Sequence, residues 1–139
     1  MTMNSMTTNV DEAVLLVFQS PQVGIALSEL LDGARLTVLH SQDCSQAFAR
    51  LARSGISVVI CEAALTDGDW KDVLKYMVQT GSPSALIVTS RIADKSLWVE
   101  VLNLGGYDVL AQPFDREEVT RVVTSAVRAS SREPWRRRA

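Results

Sequence analysis

Residues 57–61 read SVVIC, a short run without a charged side chain, which is typical of a strand buried on both faces of a sheet. Four comparable runs flank it: AVLLV at 13–17, RLTVL at 35–39, ALIVT at 85–89 and YDVLA at 107–111. Successive runs start 22, 22, 28 and 22 residues apart, which leaves room for one helix between each pair. This alternation predicts βαβ units and a parallel sheet. RLTVL alternates apolar and polar residues, which favours an edge strand.

The segments between the runs have the apolar periodicity of amphipathic helices. Ser20 followed by Pro21, Asp69 and Asp115 are the predicted helix starts. The side chains expected to face the core are Val23, Ala26, Leu27, Leu30 and Leu31 on the first helix; Phe48, Leu51 and Ala52 on the second (45–53); Val73, Leu74, Met77 and Val78 on the third; Trp98, Val101 and Leu102 on the fourth (95–104); and Val119, Val122, Val123, Ala126 and Val127 on the fifth.

Together these patterns predict one α/β domain over residues 11–130 with the flavodoxin-like (βα)5 fold, a doubly wound parallel sheet. Right-handed crossovers place helices on both faces, so the winding reverses, and the expected strand order is 2-1-3-4-5. Residues 1–10 are expected to form a flexible N-terminus, and 131–139 (SREPWRRRA) an Arg-rich tail or linker stub. A site is expected outside the carboxyl ends of strands 1 and 3, beside the reversal.

Composition narrows the class of protein. Among 139 residues, 47% are apolar and 22% charged, which excludes a disordered or low-complexity chain. The tail 131–139 carries +3 and the other 130 residues −5, so the domain is not expected to bind nucleic acid. No apolar run approaches the roughly 18 residues of a membrane span. Cys44 and Cys61 have no CxxC spacing and are expected to be reduced, buried thiols of a cytoplasmic protein.

Four motifs at the predicted strand ends resemble the receiver domain of bacterial two-component response regulators. They are VLLVFQSP at 14–21, VVICEAALTDGDW at 58–70, LIVTS at 86–90 and GGYDVLAQPFD at 105–115. The resemblance covers about residues 13–129 and is specific because the four motifs fall in order at the family's spacing. It implies a signalling module with a phosphorylation pocket at the expected edge of the sheet.

The chain departs from the family at the residues that carry phosphoryl chemistry. Phe18 and Gln19 stand where the resemblance places two acidic residues, Glu62 where it places the phospho-acceptor Asp, and Gln112 where it places a Lys. Thr89 is retained. Phe18 has no oxygen for Mg²⁺ and Gln19 has only a neutral carbonyl, so neither a metal site nor another cofactor is expected. Gln112 replaces the family's cation with a neutral donor, and its bond to Pro113 is expected to be cis, as the family's Lys-Pro often is.

Two of these replacements have more than one interpretation. Glu62 either imitates the charge of a phosphorylated Asp and holds the domain switched on, or has no signalling role. Phe18 either fills the vacated metal site and buries apolar area, or stacks on a ligand. Asp67 and Asp69 could form a second carboxylate pair, although a turn residue and a helix N-cap are the plainer interpretation. His40, the one histidine, is expected at the surface of a strand end.

Three further residues bear on access to the pocket around Glu62 and on the surface through which a receiver domain contacts its partners. Trp98 on the fourth helix lies on what the resemblance makes the output face, formed by the fourth helix, fifth strand and fifth helix, and is either an exposed anchor or a core residue. Val109 stands where the family often has an aromatic switch residue. Trp70 is expected to lie over the loop beside Glu62 and to narrow access to it.

The sequence therefore predicts a degenerate receiver domain, a phosphorylation-independent module of a two-component phosphorelay that is not an enzyme. Its expected partners are a protein (a kinase, an effector or an output domain) or a second copy bound through the output face. One alternative is an unusual phosphoryl-accepting or ligand-binding receiver. Another is a small flavodoxin-like enzyme, although the loop after strand 1, FQSPQVG at 18–24, lacks the glycines of a dinucleotide site.

Overall fold

The computed structural model describes residues 12–53 and 55–130. The predicted N-terminus at 1–10 and tail at 131–139 lie outside these residues. The main-sheet strands are β1 (Glu12–Val17), β2 (Leu36–Ser41), β3 (Ile56–Glu62), β4 (Ala85–Ser90) and β5 (Asp108–Ala111). The helices are α1 (Pro21–Leu30), α2 (Cys44–Leu51), α3 (Trp70–Gln79), α4 (Lys95–Leu104) and α5 (Arg116–Ser130). Two short antiparallel strands, Ala64–Leu65 and Gly68–Asp69, form a separate pair that we call the 64–69 hairpin.

The five main strands are parallel and lie in the order β2-β1-β3-β4-β5, which confirms the predicted topology. The predicted edge strand, RLTVL, is β2 at one edge of the sheet. Each predicted strand differs from the observed one by at most two residues at either end. The spacing and apolarity of the runs were sufficient because a strand buried on both faces tolerates few polar residues.

The sheet separates two apolar cores. Alternate strand residues such as Leu15 and Val59 face α2, α3 and α4, whereas Val14 and Val58 face α1 and α5. This alternation follows from the two-residue period of a strand. Helices therefore cover both faces, as the predicted winding requires.

The helix predictions need corrections at helix ends and on the buried faces. The second helix spans Cys44–Leu51 rather than 45–53; it begins one residue earlier because the Asp43 side chain accepts the Gln46 N–H as N-cap. Ser20 occupies the N-cap position of α1, but its hydroxyl bonds to Gln22 and does not cap the helix.

The other corrections concern the buried faces. Four side chains predicted to be buried are exposed because each helix buries a narrower stripe than its apolar periodicity suggests; they are Ala26, Ala52, Val78 and Leu102. Trp98, for which both a core and an exposed position were expected, is exposed as well. On α4, Val101 is the one buried side chain, since this helix covers the sheet edge at β5, where no further strand lies beneath it.

Candidate functional site

The strand register brings four of the predicted site residues to one edge of the sheet. β1 pairs with β3 through Val17 and Cys61, so Glu62, the last residue of β3, lies beside the chain that leaves β1 at Phe18 and Gln19. Glu62 in turn pairs with Thr89 on β4. Gln112 follows β5, and its backbone N–H donates to the carbonyl of Ser90 at 3.2 Å. The structure thus gathers Gln19, Glu62, Thr89 and Gln112 at the expected winding reversal.

Glu62 is half-buried and is engaged by the main chain. The backbone N–H of Gln19 donates to Glu62 Oε1 at 2.7 Å. This bond uses one of the several lone pairs of the carboxylate, and it ties the end of β3 to the loop after β1.

Phe18 points away from this edge and into the core. Its side chain is 2% exposed and belongs to the core beneath α1 and α5. Its ring lies 6.3 Å from that of Phe114 at an interplanar angle of 74°, an edge-to-face arrangement. A Cβ on Gly24 of α1 would lie 3.6 Å from Phe18 Cβ, so the helix passes close to the ring. Phe18 therefore buries apolar area, as one of its two interpretations has it.

Thr89 and Gln112 form the opposite wall. Thr89 is fully buried, its carbonyl accepts the N–H of Ala63 at 2.9 Å, and its Oγ1 accepts a long hydrogen bond of 3.4 Å from Gln112 Nε2. The Gln112–Pro113 peptide bond is cis, which confirms the prediction. Gln112 reaches the threonine hydroxyl as a neutral donor and brings no charge.

These residues surround an open cleft of about 470 Å³. Besides the predicted residues, its lining includes Ser20, Ala63, Ala64, Ser90, Arg91 and Ile92. Arg91 was missed by the sequence analysis, although it directly follows the recognised LIVTS motif. Its guanidinium places a positive charge at the same cleft as the Glu62 carboxylate.

The residues present do not fit the Mg²⁺ site that the fold family implies. Mg²⁺ favours several carboxylate and water oxygens in octahedral geometry. Phe18 offers no oxygen and is buried elsewhere, and Glu62 is the one carboxylate among the described residues that line the cleft. Within the described part of the chain, no three His, Cys, Asp or Glu side chains form a group that could hold a metal ion.

The 64–69 hairpin uses its acidic residues as helix caps. Asp69 is the N-cap of α3, as predicted, and forms a capping box with Asp72. Asp67 accepts the backbone N–H of Cys44 at 2.8 Å and of Ser45 at 3.1 Å, so it caps α2 from 23 residues away. These backbone bonds lower the pKa of the Asp67 carboxyl below 3.8. The sequence offered Asp67 as a turn residue or as half of a carboxylate pair with Asp69; both side chains instead accept backbone amides, and the partners of Asp67 lie in another element.

Both cysteines are free and buried, as expected. Burial, together with nearby Asp67, raises the pKa of the Cys44 thiol to about 12. Burial likewise raises the pKa of Cys61 well above its usual value. Both groups are therefore protonated thiols at neutral pH.

The two tryptophans among the described residues, Trp70 and Trp98, lie in different environments. The prediction for Trp70 was wrong: it is 3% exposed and packs in the core beneath α2 and α3, because its position opens α3 and directs the ring inward. It does not line the cleft. Trp98 is 46% exposed on α4, next to exposed Val99 and Leu102. Val109 on β5 is half-buried and packs against the core that contains Val101.

Two expectations concern the surface. His40 is exposed at the end of β2, as expected. No helix within the described residues is long and apolar enough to cross a membrane.

Comparison with known proteins agrees with this architecture. The family model for the response regulator receiver domain matches residues 14–124. The transcriptional regulatory protein FixJ of Bradyrhizobium diazoefficiens is 28% identical over 103 residues, which are 74% of this chain and 50% of FixJ. The response regulator protein PilR of Pseudomonas aeruginosa is 21% identical over 117 residues, 84% of this chain and 26% of PilR. The chain thus spans half or less of the length of these relatives.

Solved structures share the fold. The signal receiver domain of a Luxo repressor protein from Vibrio parahaemolyticus superposes with a TM-score of 0.82 at 21% identity, covering 87% of this chain and 93% of that one. The chemotaxis response regulator CheY4 of Vibrio cholerae gives 0.76 at 17% identity, covering 84% and 98%. At such low sequence identity, the two solved structures show only that the fold is shared. The family model, by contrast, matches most of the sequence. The chain belongs to the response regulator receiver domain family.

Proposed function

We propose that this domain is a degenerate receiver of a two-component pathway, which signals by protein binding and needs no phosphorylation. It works in the cytoplasm and is not an enzyme. The observation that carries this proposal is the bond from the Gln19 amide to Glu62. Glu62 stands where the resemblance places the phosphate acceptor, and its carboxylate already accepts a hydrogen bond from the main chain.

The chemistry of the cleft supports this proposal. Transfer of a phosphoryl group needs positive charge on its oxygens as charge develops there. Gln112 supplies a neutral amide, Phe18 supplies nothing, and Arg91 is the one cation among the described lining residues. The Thr89 hydroxyl is buried against Gln112, with no base at hydrogen-bond distance in the described structure.

Signalling then depends on a surface rather than on the cleft. Trp98, Val99 and Leu102 form an exposed apolar patch on α4, which we call the α4 patch. Exposed tryptophan is favoured as a binding anchor because it buries a large area with little loss of side-chain freedom. The proposed partner is a kinase, an effector or an output domain, or a second copy of this chain, bound at the face formed by α4, β5 and α5.

We propose that the face formed by α4, β5 and α5 has a single conformation that does not switch. Val109 has no ring to move between positions, and a β-branched side chain has few rotamers. A population shift requires two states that a signal stabilises differently. With neither a phosphate nor a rotating aromatic, the face stays in one binding-competent state.

One observation favours a second candidate function. The cleft is open, and within the described residues Oε2 of Glu62 accepts no hydrogen bond, in a cleft that Arg91 also lines. An unusual phosphoryl-accepting or small-ligand-binding receiver would use these two groups. This candidate predicts that changes at Glu62 alter signalling, whereas the first predicts that they do not.

A paired set of variants separates the two. Sedimentation velocity and pull-down with the purified protein should show that Trp98→Ala weakens self-association or partner binding by on the order of 2 kcal/mol. Ile25→Ala, which removes an equally exposed apolar side chain from α1, is the control and should have no effect. Glu62→Gln should change binding little. If Glu62→Gln abolishes association while Trp98→Ala leaves it intact, the cleft is the switch and the proposal is wrong.

A further inference from the structure

A second groove lies at the opposite edge of the sheet from β5. It has a volume of about 400 Å³, within the usual range of small-ligand sites. Its lining comes from the edge strand β2 and from one side of α2 with the turn that follows it: His40, Ser41, Gln46, Ala49, Arg50 and Arg53. None of these residues belongs to the cleft around Glu62 or to the α4 patch.

Helical spacing places three long side chains on the same side of this groove. Gln46, Arg50 and Arg53 follow at intervals of four and three residues, so they lie above one another on one face of α2 and its last turn. The backbone N–H of Arg53 donates to the carbonyl of Arg50, which continues this turn beyond the helix. Ala49 lies between them and leaves room at the base of the groove.

The groove is positively charged within an acidic chain. It has two arginines and no carboxylate among its lining residues, whereas the whole chain has a net charge of −2. Arg50 is half-buried and Arg53 is exposed. Neither guanidinium has a carboxylate within 4.0 Å in residues 12–53 and 55–130. Two unpaired guanidinium groups with a spacing of one turn are a natural arrangement for an oxyanion.

The remaining polar groups are also donors. Gln46 uses its Oε1 to accept the N–H of Gln42 at 2.9 Å, so its NH₂ group is left for a ligand. The ring of His40, which also lines the groove, has its Nδ1 close to Gly24 of α1, whereas the other three side chains belong to α2 and the turn after it. The groove therefore presents three nitrogen-bearing donor side chains to whatever binds there.

Ser41 gives an independent indication. Ser41 lines the groove and is 3% exposed, and its Oγ is the one buried side-chain oxygen or nitrogen without a hydrogen-bond partner in the described structure. A buried polar atom is rarely left unpaired, because desolvation without a replacement bond is costly. A bound acceptor in the groove would satisfy this hydroxyl.

We propose that the groove between β2 and α2 binds a phosphate group, with Arg50, Arg53, Gln46 and Ser41 as its donors. The group belongs either to inorganic phosphate or to a small phosphate monoester whose remainder occupies the rest of the 400 Å³. This binding is separate from the proposed signalling function and does not require any chemistry at Glu62.

The test is a titration of the ¹⁵N-labelled protein with inorganic phosphate, with adenosine monophosphate and with sulfate at constant ionic strength. Saturable shifts should be confined to β2 and α2. Arg50→Gln and Arg53→Gln should each weaken phosphate binding about tenfold, the loss expected for one charged hydrogen-bonding partner. Ser41→Ala should weaken it while leaving the fold intact. Arg121→Gln, which removes an exposed arginine from α5, is the matched control.

Tighter binding of inorganic phosphate identifies the free ion as the ligand, and tighter binding of the nucleotide identifies a monoester; both support the site. Three results would overturn it: no saturable shift with tens of millimolar phosphate or nucleotide, equal weakening by Arg121→Gln, or unchanged affinity in both Arg50→Gln and Arg53→Gln. Since Trp98→Ala leaves this groove intact, failure of the α4 patch proposal would not affect the result.

Discussion

The backbone N–H of Gln19 donates to the carboxylate of Glu62 across 2.7 Å, and this bond joins the loop after β1 to the end of β3. Receiver chemistry, as the resemblance implies it, needs free carboxylate oxygens at these two strand ends. Here one carboxylate has become a structural acceptor. The same bond therefore gives Glu62 a structural role, because it holds the loop after β1 against the end of β3.

Glu62 should contribute to stability through its acceptor oxygen rather than through its charge. Glu62→Ala leaves the Gln19 amide without its partner and should lower the free energy of unfolding by about 1 kcal/mol. Glu62→Gln keeps an oxygen at the same reach and should cost less. Urea unfolding followed by circular dichroism measures both. Equal losses in the two variants would show that the charge, not the bond, stabilises the loop.

Glu62→Asp alone should not create a Mg²⁺ site. Phe18 and Gln19 still supply no carboxylate, and hard divalent cations need several oxygen ligands. Calorimetric titration with Mg²⁺ should show no saturable binding in this variant. The double variant Gln19→Asp with Glu62→Asp is the comparison, since it places two carboxylates at neighbouring strand ends. Saturable millimolar binding by the single variant would contradict the account of the cleft.

Asp67 should stabilise the fold in a pH-dependent way. Its pKa is lowered in the folded chain by bonds from the Cys44 and Ser45 amides. The carboxylate therefore adds stability above its unfolded pKa, and this contribution disappears as the pH falls below about 3.8 and through the folded value. Asp67→Ala should lower the urea midpoint at neutral pH.

The difference between wild type and Asp67→Ala should shrink in acid. Asp32→Ala is the control, because Asp32 is exposed and its side chain has no hydrogen bond in the described structure. A difference that stays constant down to acidic pH would mean that the cap does not depend on ionisation of Asp67.

The two cysteines should be unreactive in the native protein. The thiolate is the nucleophile, and burial raises the pKa of Cys44 to about 12 and that of Cys61 well above its usual value. Iodoacetamide at mildly alkaline pH should label neither residue until urea unfolds the chain, as measured by intact mass. Ser45→Cys places a thiol at an exposed neighbouring position and should react without urea. Rapid native labelling of Cys44 would show that the 64–69 hairpin opens readily.

The fold could be predicted because its information is local and periodic. The apolar runs, their spacing and the alternation of RLTVL fixed the strands, their order and the exposed edge. The gathering of Glu62, Thr89 and Gln112 followed from the same topology, since parallel strands end at one edge. These features depend on period and order, which a single sequence carries.

The errors depend on contacts between distant elements. Asp67 caps a helix 23 residues earlier in the chain, and no local pattern marks that pairing. Trp70 was placed by its motif position, but the direction in which a helix begins decides where its first side chain points. Leu102 has the period of a core residue and is exposed because α4 lies at the sheet edge. No local pattern marks the groove lined by Arg50, Arg53 and Ser41, because these residues meet only when α2 packs beside β2.

The most direct test of the central claim is intact-mass measurement after incubation with acetyl phosphate and Mg²⁺, with a receiver that carries the full acidic set as the positive control. The account predicts that the control gains one phosphoryl group while this domain gains none. Glu62 accepts a hydrogen bond from Gln19, and it is the one carboxylate among the described residues that line the cleft. Stoichiometric addition of phosphate to this chain, mapped to Glu62 and lost in Glu62→Gln, would contradict the claim.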